Sequence, residues 1–170
     1  MRLFVAICLP EHVRASLLQA AQQLKAQGRG SFTRWENFHL TLTFSGETQR
    51  IEAAKAALSS VQSPPVPLRV GKIGTFGSLY WAGVDPSPAL MALQKQVERA
   101  FGEAGFSLEK RAYRPHLTLC RRFQPNGTVR LNGVEAALGH PRFTAHSIHL
   151  MESCRVDGRL VYRKVEEKRL

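Results

Sequence analysis

The tetrapeptide His-Leu-Thr-Leu occurs twice in this chain, at residues 39–42 and again at residues 116–119. Each copy alternates a polar residue with an apolar one, which is the period of a half-buried β-strand. On such a strand the histidine and the threonine point to one face, and the two leucines point to the other. The repeat therefore predicts two strands that each carry an imidazole and a hydroxyl on a polar face.

A functional role for the repeat has to be weighed against chance. A single His-X-Thr-X pattern fixes only two positions, and a lone histidine on a strand is usually structural or merely exposed. Two copies with the same Leu-Thr-Leu continuation are much harder to attribute to chance, and each follows a turn, at 36–38 and at 114–115. The remaining histidines have no repeated partner: His12, His140, His146 and His149.

Strand and helix patterns alternate irregularly along the chain, without a strict β-α-β order and without a glycine-rich phosphate loop. This order favours an α+β fold with antiparallel sheets, in which two similar lobes face each other across a groove. The region 126–139 is interpreted as a loop. Predicted strands cover 3–9, 32–35, 39–44 (ended by Gly46), 66–73, 79–84, 116–120, 143–151 and 160–165, and predicted helices cover 11–24, 51–61 and 88–105.

Length and composition indicate one soluble domain spanning residues 1–170. The chain is 44% hydrophobic and long enough to bury a substantial core, yet no apolar run approaches the roughly 20 residues of a membrane span. The apolar segment 3–9 lacks the features of a secretory signal and is interpreted as a first strand. Cys8, Cys120 and Cys154 are too few and too scattered for a disulfide framework or a zinc site. We therefore expect a cytoplasmic monomer without a metal, a cofactor or a membrane partner.

The net charge of +11 indicates an affinity for polyanions, of which nucleic acid is the commonest. Plain solubility is the alternative explanation. The distribution favours nucleic acid, because five basic residues bracket the second motif with no acidic residue among them: Lys110, Arg111, Arg114, Arg121 and Arg122.

A pair of imidazoles suits metal-independent hydrolysis of a phosphate ester. Histidine titrates near neutral pH, so one ring can act as a base and the other as an acid. The hydroxyls of Thr41 and Thr118 can donate hydrogen bonds to non-bridging phosphate oxygens, where charge accumulates in the transition state. Arg121 can add a fixed positive charge, although a plain surface role is equally compatible with its position.

The two motifs and their flanks resemble the paired HxTx signatures of the 2H phosphoesterases. Residues 37–47 resemble the first signature, and residues 114–121 resemble the second. The segment 3–7 followed by Pro10, together with 150–153, Gly158 and Tyr162, resembles the bacterial RNA 2′,3′-cyclic phosphodiesterase branch, which is LigT-like and also called 2′–5′ RNA ligase. The similarity covers nearly the whole chain; Ser45 departs from it, since an apolar residue is expected there.

This resemblance implies a bilobal fold with pseudo-twofold symmetry and hydrolysis of terminal 2′,3′-cyclic phosphates to 2′-phosphates. It implies that His39 is the proton donor to the leaving 3′ oxygen and that His116 is the base that activates water. Thr41, Thr118 and Arg121 would hold the phosphate. The partners would be RNA ends with a 2′,3′-cyclic phosphate, on tRNA fragments or oligoribonucleotides.

Two other functions stay open at this point. A hydroxyl of a second RNA end in place of water would join RNA ends through a 2′–5′ linkage, the reverse of cleaving such a linkage. A non-catalytic RNA-binding protein is the other alternative, in which exposed aromatic rings stack on bases. Core packing is the competing explanation for the rings concerned: Trp35, Phe38, Phe76 and Trp81.

Overall fold

The computed structural model describes residues 1–170 and contains nine strands, four α-helices and one short 3₁₀ helix. In chain order the elements are β1 (Arg2–Cys8), α1 (Glu11–Lys25), β2 (Gly28–Phe32), the 3₁₀ helix (Trp35–Asn37), β3 (His39–Glu47), α2 (Ile51–Ser60), β4 (Val66–Phe76), β5 (Leu79–Val84), α3 (Pro88–Glu103), β6 (His116–Pro125), α4 (Asn132–Leu138), β7 (Arg142–Ala145), β8 (Ser147–Val156) and β9 (Arg159–Arg169).

The strands form two antiparallel sheets. The first has the order β3-β1-β8-β9 and the second the order β2-β6-β5-β4-β7. Every strand pair in both sheets is antiparallel. The predicted α+β class with two antiparallel sheets flanked by helices is confirmed.

The two sheets repeat one arrangement around the two motifs. His39 pairs with Cys8, and Thr41 pairs with Ala6, two residues earlier in β1. In the second sheet His116 pairs with Gly83, and Thr118 pairs with Trp81, again two residues earlier. A bulge follows in both strands at the same place, the third residue after the histidine. This shared register is the pseudo-symmetry expected from the repeated sequence.

Helices α1 and α3 connect the two sheets. Helix α1 follows β1 of the first sheet and leads into β2 of the second, and it packs on β2, β6 and α4. Helix α3 connects β5 to β6 of the second sheet, and it packs on β3, β4 and α2. The hydroxyl of Ser87 caps α3 by accepting a hydrogen bond from the Leu90 amide at 3.2 Å. One apolar cluster of 36 buried residues joins the two halves.

Four predicted segments differ from the structure. Residues 126–139 contain helix α4, whose seven residues include a glycine and give little helical signal. The predicted strand 143–151 is two strands in different sheets, because the chain changes sheet at His146. The strand predicted at 32–35 ends at Phe32 and is followed by the 3₁₀ helix. Gly46 does not end β3; with φ of 70° it lies inside the strand, beside a register shift.

None of the four helices is both long enough and apolar enough to cross a membrane.

Candidate active site

Both motifs stand at the start of a strand, and those strands contact each other across the two sheets. His39 is the first residue of β3, and His116 is the first residue of β6. The leucines at 40, 42, 117 and 119 are all buried in the core, whereas the histidines and threonines are only partly buried. The polar and apolar faces predicted from the two-residue period are therefore correct.

The two imidazoles are held by the same backbone contact. Nδ1 of His39 donates a hydrogen bond to the Asn37 carbonyl at 2.7 Å, and Nδ1 of His116 donates one to the Arg114 carbonyl at 2.7 Å. A carbonyl oxygen can only accept, so in each neutral ring the proton sits on Nδ1 and the free electron pair on Nε2. Each motif thus presents a basic Nε2, which in His39 accepts a hydrogen bond from the Thr41 hydroxyl at 3.0 Å.

The pKa of His39 lies below the ordinary value of histidine. Burial is the main cause, because it penalises the charged ring, and the nearby charges of Arg121 and His116 lower the pKa further. The hydrogen bond to the Asn37 carbonyl opposes these effects. Arg121 and His116 both belong to β6, which contacts β3.

Aromatic rings enclose both histidines. Tyr162 stands edge-on to His39 with ring centres 4.8 Å apart, and Phe4 lies 5.1 Å from the same imidazole. Phe76 stands edge-on to His116 at 5.2 Å, and Trp81 lies 6.0 Å away. Burial also raises the pKa of the Tyr162 hydroxyl, which keeps this phenol neutral beside His39.

A cavity of about 260 Å³ opens beside His39. Thr118 and Arg121 of the second sheet line it together with Tyr162 of the first. Thr33 also lines it, and the Thr33 hydroxyl donates to the Thr118 carbonyl at 2.8 Å, which ties the segment after β2 to β6. Residues from both motifs therefore border one space, and that space lacks any acidic side chain in its lining.

The residues predicted from sequence have different places in this site. His39, Thr118 and Arg121 line the cavity, Thr41 is bonded to His39, and His116 acts electrostatically on His39. Tyr162 and Phe4 are not among the site residues predicted from sequence. They reach His39 because their strands, β9 and β1, belong to the same sheet as β3. No local sequence pattern reports such a pairing.

The aromatic rings considered for base stacking differ in exposure and in distance from the histidines. Phe38 is 2% exposed and belongs to the core, so its interpretation as an exposed ring is wrong. Trp35 lies in the 3₁₀ helix and is partly buried. Phe76 is 37% exposed and contacts both Trp81 and His116, so Phe76 and Trp81 lie beside the second histidine.

Other polar clusters do not join the site. No group of three or more histidine, cysteine, aspartate or glutamate side chains is placed to hold a metal ion. His149 contacts the Cys8 thiol at 3.6 Å on the first sheet, and His12 contacts the Arg142 carbonyl at 2.8 Å on the far side of the second. All three cysteines are free thiols.

Comparison with known proteins identifies relatives of the whole chain. An RNA 2′,3′-cyclic phosphodiesterase of Bacillus subtilis is 30% identical over 88% of this chain and 89% of its own length. A protein of the same name from Methanocaldococcus jannaschii is 27% identical over 98% of this chain and 99% of its own. Escherichia coli LigT in complex with 3′-AMP has a similar fold, with a TM-score of 0.82 at 23% identity over 99% of this chain and 97% of that one.

The family assignment rests on a match that spans most of the chain. The sequence model of the 2′–5′ RNA ligase superfamily matches residues 9–157, a range that includes both motifs and all the strands except β1 and β9. The Bacillus subtilis relative is similar over 88% of this chain. This chain belongs to the 2′–5′ RNA ligase superfamily, the family of the 2H phosphoesterases.

Proposed function

We propose that this protein is an RNA 2′,3′-cyclic phosphodiesterase that opens terminal cyclic phosphates to 2′-phosphates by two-histidine acid–base catalysis. The observation that supports this most is the matched presentation of the two imidazoles. Each begins a strand, and each is fixed through Nδ1 to the carbonyl two residues earlier, which leaves the electron pair on Nε2 for proton transfer. Relatives that cover nearly the whole chain carry this enzyme name.

In the proposed reaction His116 removes a proton from a water molecule, whose oxygen attacks the phosphorus of the cyclic phosphate. The bond between phosphorus and the 3′ oxygen breaks, and His39 donates its proton to that oxygen. The product is an RNA end with a free 3′-hydroxyl and a 2′-phosphate. Proton exchange with solvent then restores the starting state of both rings. No metal or cofactor takes part in these steps.

Three side chains hold the phosphate in this proposal. Thr41 and Thr118 donate hydroxyl hydrogen bonds to its non-bridging oxygens, and Arg121 supplies a positive charge as those oxygens become more negative. Thr118 and Arg121 line the cavity beside His39, which supports their part in this role. The hydroxyl of Thr41 is bonded to His39 in the absence of substrate, and it turns to the phosphate when substrate binds.

To act as the proton donor, His39 has to be protonated on both ring nitrogens. In the free protein its surroundings oppose this, because they lower its pKa. A bound phosphodiester brings a negative charge next to the ring and offsets the positive charge of Arg121. The pKa of His39 therefore rises on binding, and the substrate itself favours the protonated donor.

Ligation is the second candidate, and the name of the superfamily favours it. If the 5′-hydroxyl of a second RNA occupies the position of water, His116 takes its proton, its oxygen bonds to phosphorus, and the bond to the 3′ oxygen breaks with a proton from His39. The 2′ oxygen stays on phosphorus, so the product is a 2′–5′ linkage. Hydrolysis dominates unless two RNA ends are held together, because water is abundant. Oligoribonucleotide ends, including those of tRNA fragments, are the substrates we propose for both directions.

The test is hydrolysis of an oligoribonucleotide with a 2′,3′-cyclic phosphate, in chelator and without ATP. We expect the wild type to release only the 2′-phosphate, and His39→Ala and His116→Ala each to lower kcat by about 10²–10⁴-fold. His146→Ala is the matched control, because His146 is exposed and lies outside the site. Affinity for adenosine 2′-phosphate should change little in His116→Ala.

Three results would contradict the proposal. Release of a 3′-phosphate would mean that the other ester bond breaks. Loss of activity in chelator would mean that a metal takes part. Full activity in both histidine variants would leave RNA binding, without this catalysis, as the function.

A further inference from the structure

The cavity beside His39 holds more positive charge than one phosphate needs. Besides Arg121, its lining includes Arg34, Arg122 and Arg155, and it includes no acidic side chain. These three arginines come from three separate parts of the chain: the segment after β2, the middle of β6 and the turn-proximal end of β8. We call them the arginine cluster. The proposed reaction gives none of them a part.

A local distortion of β6 turns Arg122 toward the cavity. Consecutive residues on a regular strand point to opposite faces, so Arg121 and Arg122 would normally diverge. Opposite Gly30 of β2, however, β6 has two residues, Arg122 and Phe123, and Arg122 has φ of 52°. Such a bulge redirects side chains, and a left-handed φ at a residue other than glycine is uncommon. Both neighbouring arginines consequently line the same cavity.

The members of the arginine cluster differ in how far their charge is already neutralised. Arg34 forms an ion pair with Glu36. Arg122 instead donates to the Ser31 hydroxyl at 3.3 Å, and Arg155 donates to the Gly158 carbonyl at 3.2 Å, so neither guanidinium has an acidic partner. These two therefore keep their full charge for an anion. The neutral contacts hold them in place without cancelling that charge.

The size of the cavity limits what the anion can be. A volume of about 260 Å³ lies just below the roughly 300–1,000 Å³ of pockets for drug-sized ligands. It therefore suits a phosphodiester and part of the nucleotide attached to it rather than a folded RNA element. His39 lies in the wall of the same cavity, so a group bound there is continuous with a phosphate at the histidines.

We infer that the arginine cluster is a second phosphate subsite, which binds the internucleotide phosphodiester next to the terminal cyclic phosphate. This inference rests on the proposed function and specifies its substrate class. The subsite makes the enzyme prefer an oligoribonucleotide end over a cyclic mononucleotide. Arg122 and Arg155 carry most of the preference, because they have no acidic partner.

The experiment compares three substrates: adenosine 2′,3′-cyclic phosphate, the ApA dinucleotide with the same cyclic end, and that dinucleotide with a methylphosphonate linkage. The last one keeps both bases but has no charge between them. We expect kcat/KM of the wild type to be about tenfold higher or more for the charged dinucleotide than for the other two, the size of one charge-assisted contact.

The variants Arg122→Gln and Arg155→Gln should each remove most of this advantage and change kcat/KM for the mononucleotide by less than about twofold. Arg99→Gln removes the same charge from the exposed face of α3 and should leave the advantage intact. Retained activity on the mononucleotide also shows that each variant is folded. The subsite is refuted if the methylphosphonate dinucleotide is as good a substrate as the charged one, or if Arg99→Gln has the same effect as Arg155→Gln.

A binding arm separates this inference from the proposed function. Titration calorimetry compares adenosine 2′-phosphate with ApA that ends in a 2′-phosphate, and it needs no turnover. If no cyclic substrate is hydrolysed but the charged dinucleotide binds more tightly through Arg155, the proposed function fails and the subsite stands. If hydrolysis occurs without any dinucleotide preference in either arm, the subsite fails and the proposed function stands.

Discussion

His39 and His116 have the same backbone hydrogen bond but different neighbours. His39 lies between Phe4 and Tyr162 and next to Arg121, and the resulting loss of hydration and positive field lower its pKa. His116 is bordered by Phe76, which is 37% exposed. The identical motif therefore places two imidazoles in different surroundings, and the surroundings rather than the motif lower the pKa of His39.

The pKa of His39 gives a direct test at this scale. We expect the imidazole in the free protein to titrate below 6.5, its ordinary value, and to stay neutral above that pH. Arg121→Gln should raise the pKa, because it removes a positive charge that disfavours the charged ring. Saturation with adenosine 2′-phosphate should also raise it. The measurement is an NMR titration of the ring resonances.

Arg99→Gln serves as the control for this titration, because Arg99 is not among the charges that act on His39. A His39 pKa at or above 6.5 in the free protein would contradict the expected burial. A pKa that Arg121→Gln leaves unchanged would mean that Arg121 does not face His39 in solution.

At the level of elements, the close pairing of β2 with β6 depends on glycine. A Cβ on Gly30 would lie 2.5 Å from the Cys120 sulfur and 3.1 Å from the Phe123 Cα. A side chain there would push β2 away from the bulge that directs Arg122. Gly30 thus permits the two-against-one pairing on which the shape of the cavity depends.

Gly30→Ala should accordingly destabilise the protein by about 1–3 kcal/mol, the usual cost of overpacking. Urea unfolding followed by circular dichroism measures this free energy. Gly127→Ala is the matched control, since a Cβ on Gly127 meets nothing within 4 Å. Equal stability of the two variants would show that β2 does not lie against β6 as described.

Elements with a strong internal period were predictable from the sequence, and those defined by contacts with distant residues were not. The motif strands and helices α1, α2 and α3 follow from alternation and from helical spacing of apolar residues. By contrast, 143–151 has no glycine or proline to separate two strands, although β7 and β8 belong to different sheets. A change of sheet alters the partner of a strand, and a local sequence pattern does not report the partner.

The candidate site was predictable to a similar extent. The repeat identified the two histidines and two threonines as candidates, and the basic surround of the second motif identified Arg121. Of the arginine cluster, only Arg122 belonged to that basic surround, and its direction into the cavity depends on a bulge. Arg34 and Arg155 are far from the motif in sequence and had no signal. Catalytic roles for all of these residues remain predictions.

On the scale of the whole molecule, helices α1 and α3 connect the two sheets. Helix α1 leads from β1 of the first sheet to β2 of the second, and α3 packs on β3 of the first sheet and on β4 of the second. Each helix therefore connects the two sheets, α1 through the chain and α3 through its packing. We propose on this basis that residues 1–170 behave as a single domain with one cooperative unfolding transition.

Two buried leucines test this cooperativity. Leu24→Ala in α1 and Leu58→Ala in α2 remove fully buried side chains near different sheets and should each cost about 2–5 kcal/mol. In a Trp35→Phe background, Trp81 fluorescence reports on the second sheet and far-ultraviolet circular dichroism on the whole chain. We expect both signals to shift together in both variants. Separate transitions, with Leu58→Ala leaving the fluorescence midpoint unchanged, would mean two independent lobes.

The shared register of the two motifs has a consequence for the direction of the reaction. Backbone pseudo-symmetry gives both histidines the same position, so it does not by itself decide which one is the acid and which one is the base. Direction has to come from residues without an equivalent. Arg121 is one of them: it stands five residues after His116, and the matching position after His39 holds Phe44. Because one position holds a cation and the matching position holds an aromatic ring, the two sides of the site differ in charge although their backbones match.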